Sequence, residues 1–125
     1  MVVDSSVWLE ILARGPLAAR CEKYLNDFLE KDDLVISAVT LFEVYKNLKK
    51  KFGDEEAVDL LGGLSQCLVV NVNRELALQA SDLSLEHGLA MADAMVLACA
   101  QRRGAKLLTL DNDFAKIDDA IVLRR

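Results

Sequence analysis

Short apolar runs alternate with longer amphipathic stretches along the whole chain. The runs are rich in valine, isoleucine and leucine, and they read MVV, LVIS, CLVVNV, KLLTL and AIVL. Between them, apolar residues recur every three or four positions, as on one face of a helix. This alternation is typical of a mostly parallel sheet covered by helices on both faces. The pattern therefore predicts an α/β fold built on a five-stranded sheet.

The amphipathic stretches predict helices over residues 6–13, 17–30, 39–51, 55–64, 74–87 and 92–103, and a short one after Asp111. Apolar stripes within them indicate core positions. In the second helix the stripe comprises Leu17, Cys21, Tyr24, Leu25 and Phe28, and in the fifth it comprises Leu76, Ala80, Leu83 and Leu85. Trp8 is expected in the core or at an interface. His87, which precedes Gly88, is expected to end a helix.

Length and composition predict one domain spanning residues 1–125. Hydrophobic residues make up 53% of the chain, which favours a surface partly covered by a second copy or another protein. No run approaches the 18 or so uncharged residues of a membrane span, and the N-terminus lacks a secretion signal, so we expect a cytoplasmic protein. The three cysteines, far apart in apolar contexts, are expected in the core rather than in disulfides or a zinc site.

Four acidic residues stand apart from the other carboxylates, most of which lie in solvated, charged segments. Asp4 and Asp111 each follow a predicted strand, Glu43 lies inside an apolar helical stretch, and Asp93 is the one charge in LAMADAMVLACA. The carboxyl ends of parallel strands meet at one edge of a sheet, where ligands bind in open α/β folds. We therefore expect all four side chains to reach the same crevice.

If the four carboxylates converge, the electrostatic repulsion between them must be compensated. At separations of about 5 Å and an effective dielectric near 20, each pair costs about 3 kcal/mol, and six pairs cost about 20 kcal/mol. A marginally stable domain does not absorb that cost. Protonation of one or two acids would help, whereas a divalent cation removes the repulsion directly. Oxygen-only ligands favour Mg²⁺ or Mn²⁺ over zinc.

Each of these acids also has a purely structural interpretation. Asp4 and Asp93 are reasonable N-cap residues, and Asp111 is a reasonable turn residue before the last helix. Thr40 and Glu43 have the spacing of a capping box. Four isolated acids at one sheet edge nevertheless favour a metal site. Two other folds with acidic pockets fit less well. A receiver domain needs an Asp after strand three, where this chain has Asn71. A haloacid dehalogenase needs Asp-x-Asp after strand one, where this chain has Asp4-Ser5-Ser6.

Four motifs, in order and at the expected spacing, resemble the PIN-domain ribonucleases, specifically the small VapC-type toxins of toxin–antitoxin pairs. They are VVDSSVWLE, ISAVTLFEVYKNL, GLAMADAMVLACA and LLTLDNDF. The resemblance implies that Asp4, Glu43, Asp93 and Asp111 form an acidic quartet holding one or two Mg²⁺ or Mn²⁺ ions. Ser6 and Thr109 stand where the family often has a supporting hydroxyl, and Asp113 lies near the site but is more simply explained as a polar turn residue.

The resemblance further implies hydrolysis of RNA to 5′-phosphate and 3′-hydroxyl ends, a homodimer, and a cognate antitoxin whose tail fills the crevice. The overall charge of −5 argues against RNA binding by bulk charge. Lys46, Lys49, Lys50 and Lys51 form the densest basic run, which either contacts phosphates or only compensates a helix C-terminus. Two rival functions stay open: a PIN-like nuclease of RNA maturation, and an inactive module whose acidic crevice binds a basic tail.

Overall fold

The computed structural model describes residues 1–29 and 34–124, with their side chains except those of Phe28 and Leu29. Its strands are β1 (Val2–Val3), β2 (Val35–Ser37), β3 (Leu68–Val70), β4 (Leu107–Thr109) and β5 (Ala120–Val122). Its helices are α1 (Ser5–Leu12), α2 (Ala18–Leu29), α3 (Ala38–Phe52), α4 (Asp54–Leu61), α5 (Arg74–His87) and α6 (Met91–Arg102). Two 3₁₀ turns, Gly62–Leu64 and Asn112–Phe114, complete the described part.

The five strands form one parallel sheet in the order β3-β2-β1-β4-β5. The sequence prediction of a five-stranded α/β fold is thereby confirmed. Strand order reverses between β1 and β4, which pair through Val2 with Leu107 and Val3 with Leu108. Open α/β sheets bind ligands beside the carboxyl ends of strands at such a reversal. The segments that follow β1 and β4 therefore border the crevice.

Both faces of the sheet are buried, which explains why the strands are continuously apolar. Val2, Val35 and Leu107 pack on one face against α5 and α6. The next residue of each strand, Val3, Ile36 and Leu108, packs on the other face with α1 to α4. Successive strand residues point to opposite faces, so a strand covered on both sides needs apolar residues at every position.

The predicted core positions with described side chains are buried or half-buried, with one exception. Leu17, Tyr24 and Cys67 are half-buried against the core. Leu76, Ala80 and Leu83 are buried, whereas Leu85 is 85% exposed. At 100° per residue, Leu85 lies about 180° around α5 from Leu76, on the solvent side. In α2, Cys21 and Leu25 are buried, and the predictions for Phe28 and Glu30 lie outside the described side chains and residues.

Trp8 belongs to the core packed on the α1–α4 face, and Cys21 and Cys99 are buried free thiols. His87 ends α5, and Gly88 follows in the left-handed conformation with φ of 68°. Across residues 1–29 and 34–124, no single helix is long and apolar enough to cross a membrane. Only α5 and α6 together, which are bent by 114°, reach that length and composition.

Candidate functional site

Asp4 is the most deeply buried of the four predicted acids, at 3% exposed. It follows β1 at the N-cap position of α1, yet its side chain makes no capping hydrogen bond. Instead its Oδ2 accepts hydrogen bonds from Ser6 Oγ (2.8 Å) and from Thr109 Oγ1 (2.9 Å). The N-cap interpretation of the Asp4 side chain is therefore wrong, because the two hydroxyls direct the carboxylate toward the end of β4.

The hydroxyl oxygens of Ser6 and Thr109 also accept hydrogen bonds from neighbouring backbone amides. The amide of Leu110 donates to Ser6 Oγ (3.0 Å), and the amide of Asp111 donates to Thr109 Oγ1 (3.0 Å). Each hydroxyl thus accepts one hydrogen bond and has its own proton free to donate to Asp4. This network joins the chain after β1 to the chain after β4 and holds the carboxylate of Asp4 in a defined orientation.

Asp93, Asp111 and Asp113 bring one carboxylate oxygen each to within 4.8 Å of one another. Asp93 lies in the first turn of α6, and Asp111 lies at the N-cap of the Asn112–Phe114 turn. Asp111 Oδ1 accepts from the amide of Asp113 (2.9 Å), so this aspartate does serve as a turn residue, as its structural interpretation predicted. The same hydrogen bond places Asp113 beside the other two acids.

We call Asp4, Glu43, Asp93, Asp111 and Asp113 the acidic cluster, and the charges within it affect the pKa values of two members. Burial raises the pKa of Asp93 to about 6, and the rise is reinforced by the negative charges of Asp4, Asp111, Glu43 and Asp113. Burial and the charge of Asp4 also raise the pKa of Glu43, although a hydrogen bond from Ser5 and the charge of Lys46 oppose that rise. The structure therefore brings all four predicted acids within electrostatic reach of one another.

Comparisons with known proteins identify a family for this chain and several similar proteins. The family model of the PIN domain matches residues 1–120. The chain belongs to the PIN domain family. Ribonuclease VapC3 of Pyrobaculum aerophilum is 29% identical over 130 aligned positions, covering 98% of this chain and 97% of that protein.

Solved structures similar to this PIN domain include a toxin–antitoxin complex from Klebsiella pneumoniae, with a TM-score of 0.81 and 24% identity over 97% of this chain and 95% of that one. Another is VapC20 of Mycobacterium tuberculosis, described as a sarcin–ricin loop cleaving toxin, with a TM-score of 0.79 and 19% identity over 94% of both chains. At these identities the likeness concerns the fold, which it confirms.

The capping interpretations of Glu43 and Asp93, which the sequence left open beside the metal site, are also wrong. Ser37, not Thr40, is the N-cap of α3 and accepts from the amide of Val39 (3.2 Å), so Glu43 is the sixth helical residue and no capping box forms. Ala90, not Asp93, is the N-cap of α6. Both errors have one cause, since each helix begins earlier than the sequence pattern indicated. They leave Glu43 and Asp93 without a capping role.

Asp113 is the residue that sequence reasoning undervalued. The prediction treated it as a polar turn residue, yet its carboxylate lies with those of Asp93 and Asp111. The Asp111-x-Asp113 spacing directly after a strand was the available sign. In a 3₁₀ turn the chain bends tightly, so a residue two positions after the N-cap lies close to it. The hydrogen bond from the Asp113 amide to Asp111 Oδ1 shows this geometry.

The donor set of the cluster consists of carboxylate oxygens. Hard divalent cations such as Mg²⁺ and Mn²⁺ prefer these donors, whereas zinc prefers histidine and cysteine. The one histidine of the chain, His87, ends α5 and lies 3.8 Å from Glu86. Burial first, and then neighbouring carboxylates, raise the pKa values of Asp93 and Glu43, and a cation among these acids would relieve their repulsion. The cluster therefore fits a divalent cation.

Proposed function

We propose that this PIN domain is a divalent-cation-dependent endoribonuclease, and that it is the toxin of a toxin–antitoxin pair. The main observation behind the proposal is the group of carboxylates at the strand reversal. Neighbouring negative charges there add to the raised pKa of Asp93, and two hydroxyls hold Asp4. Its similarity over nearly the whole chain to a protein named a ribonuclease, and to one described as a sarcin–ricin loop cleaving toxin, supports the proposal.

Asp4, Glu43, Asp93 and Asp111 are the proposed ligands of one or two Mg²⁺ or Mn²⁺ ions, and Asp113 is a further candidate. When bound, such a cation lowers the pKa of a coordinated water and neutralises charge that develops on the phosphoryl oxygens. Ser6 and Thr109 keep Asp4 oriented by donating to one of its oxygens. A pKa of about 6 keeps Asp93 ionised at neutral pH, as a ligand must be.

Water is the proposed nucleophile because residues 1–29 and 34–124 provide no activated side chain for that role. Ser6, the hydroxyl nearest Asp4, already donates to that carboxylate and accepts from Leu110. The free thiols of Cys21 and Cys99 are buried, and burial raises the pKa of both, so they stay protonated. Hydrolysis by water is expected to leave 5′-phosphate and 3′-hydroxyl ends.

A cognate antitoxin, a homodimeric state and a cytoplasmic location complete the proposal. Similar structures are described as toxin–antitoxin complexes, including VapBC assemblies from Rickettsia felis and Salmonella typhimurium, which supports an antitoxin partner. Exposed apolar side chains at Leu78, Leu85 and Met91 on α5 and α6 offer a surface for a second copy.

Incubation of the purified protein with total RNA, with and without Mn²⁺, followed by mapping of the cut ends, tests the nuclease. Cleavage should require the cation and should be lost in Asp4→Asn and Asp93→Asn. Asp82→Asn, on the exposed side of α5 outside the cluster, is the matched control and should cleave normally. Cleavage that survives both cluster variants would refute the proposal and favour a binding module.

A further inference from the structure

An exposed aromatic side chain, that of Phe42, directly precedes Glu43 of the acidic cluster on α3. Phe42 is 65% exposed, and the Nζ of Lys46 lies 5.7 Å from the centre of its ring. One turn further along α3, Lys49 lies 4.9 Å from the centre of the Tyr45 ring. An exposed aromatic ring with a cation beside it is the kind of surface on which nucleotide bases stack. These pairs therefore suggest a binding surface.

This surface is continuous with the candidate nuclease site. Phe42 immediately precedes Glu43 on α3, and Lys46 follows Glu43 by three residues, with its ammonium group beside the Phe42 ring. On the other side, Phe42, Tyr45 and Lys46 line an open groove of about 690 Å³ between α3 and α4. The groove thus follows the helix that carries Glu43, and its lining residues Phe42 and Lys46 lie within one turn of that acid.

The charge of the groove is opposite to that of the protein. The chain carries a net charge of −5, yet Lys46, Lys49 and Lys50 all line this groove, which has no acidic lining residue. Lys49 pairs with Asp54 (3.7 Å), whereas Lys46 forms no ion pair within the part of the chain that the structure describes. An unpaired ammonium group beside an exposed ring matches the two parts of a nucleotide, a phosphate and a base.

We propose that Phe42 and Lys46 position RNA at the acidic cluster, with an unpaired base stacked on the Phe42 ring and the adjoining phosphate bound by Lys46. This inference rests on the proposed ribonuclease function and adds the residues that hold the substrate. Stacking on aromatic side chains is a general way to hold single-stranded bases, and it tolerates sequence because every base has a flat face. A single-stranded or looped region is therefore the preferred substrate.

The test measures binding and cleavage separately. Binding is measured in Mg²⁺ with Asp93→Asn as the background, using a fluorescently labelled single-stranded RNA of about 12 nucleotides. Phe42→Ala should weaken binding about 10-fold, and Phe42→Trp should preserve it. Val72→Ala is the matched control, because Val72 is 40% exposed after β3 but lies outside the groove. Its binding should be unchanged.

Lys46→Gln adds a second readout that a merely structural role would not change. Loss of one phosphate contact should reduce the slope of log K against log salt concentration by about 0.7. Lys23→Gln, an exposed lysine on α2, is the control and should leave the slope unchanged. In the cleavage-competent protein, Phe42→Ala should raise KM for the same RNA and leave kcat nearly unchanged, since stacking holds the substrate without touching the reacting atoms.

The outcomes separate this inference from the function on which it rests. RNA cleavage by the wild-type protein combined with unchanged binding and KM in Phe42→Ala would overturn the inference alone. Absence of cation-dependent cleavage by the wild type would overturn the proposed function. If Phe42→Ala abolishes binding of a protein partner but not of RNA, the groove is a protein-docking site and the inference is wrong. Melting curves of the variants confirm folding, which surface substitutions are expected to preserve.

Discussion

The repulsion within the acidic cluster makes a specific prediction about Asp93→Asn in the absence of divalent cations. The substitution removes the charge of a residue whose ionised form is disfavoured by burial and by four neighbouring carboxylates. Asparagine has nearly the same shape, so packing in the first turn of α6 is retained. We therefore expect the cation-free variant to be more stable than the wild-type protein at neutral pH, although it is catalytically inactive.

The magnitude follows from the pKa of Asp93. A rise from 3.8 to about 6 corresponds to about 3 kcal/mol at 1.36 kcal/mol per pKa unit, and solvent screening of this partly exposed carboxyl reduces the effect to about 1–2 kcal/mol. Because the folded-state pKa is raised, the folded protein binds the proton more tightly than the unfolded chain does. Wild-type stability is therefore lost as pH rises from about 4 to about 6.

Urea unfolding in EDTA at a series of pH values measures this effect. The stability difference between Asp93→Asn and the wild type should be near zero at pH 4 and reach its plateau above about pH 6.5. Addition of Mn²⁺ should stabilise the wild type, by about 2.7 kcal/mol at 100 times the dissociation constant, and should stabilise the variant less. Asp82→Asn should show none of these changes. A variant that is less stable than the wild type in EDTA at pH 7.5 would refute the reasoning.

Three further predictions concern the cation, the hydroxyl network and the core. Mn²⁺ affinity measured by calorimetry should fall as pH drops through about 6, because protonated Asp93 cannot bind a cation; equal affinity at pH 5 and 7 would contradict this. Thr109→Val should lower the free energy of unfolding by about 1–3 kcal/mol and reduce cleavage, because Asp4 loses a donor and the Asp111 amide an acceptor. Thr40→Val is its control: the buried Thr40 hydroxyl has no partner within the described residues, so this change should be neutral or stabilising in the same unfolding assay. Leu83→Ala should cost about 2–5 kcal/mol and Leu85→Ala less than about 0.5 kcal/mol in thermal or urea unfolding, and equal costs would contradict the assignment of faces on α5.

Local pattern was sufficient to predict the elements of this PIN domain. The continuous apolar runs predict strands buried on both faces, and alternate residues such as Val2 and Val3 do pack on opposite sides. The acids were conspicuous for the same reason, since an isolated charge in an apolar run such as that around Asp93 signals an unusual environment. Predicted helix starts were within about one residue of those observed, but the capping box at Thr40 was wrong because the exact cap is not fixed by the apolar pattern.

The meeting of distant residues was decided by tertiary structure. Asp4 lies 105 positions from Thr109, and they touch only because the strand order places β1 beside β4. No local pattern contains that order, since it depends on which strands pair and on the handedness of the connections. The fold likewise brought Asp93 to Asp111 and Asp113. The exposure of Leu85, in contrast, follows from the local period of α5. The sequence indicated the helices, the strands and the unusual acids because propensity and periodicity are local. The distances between those acids required the folded chain because pairing between strands is not local.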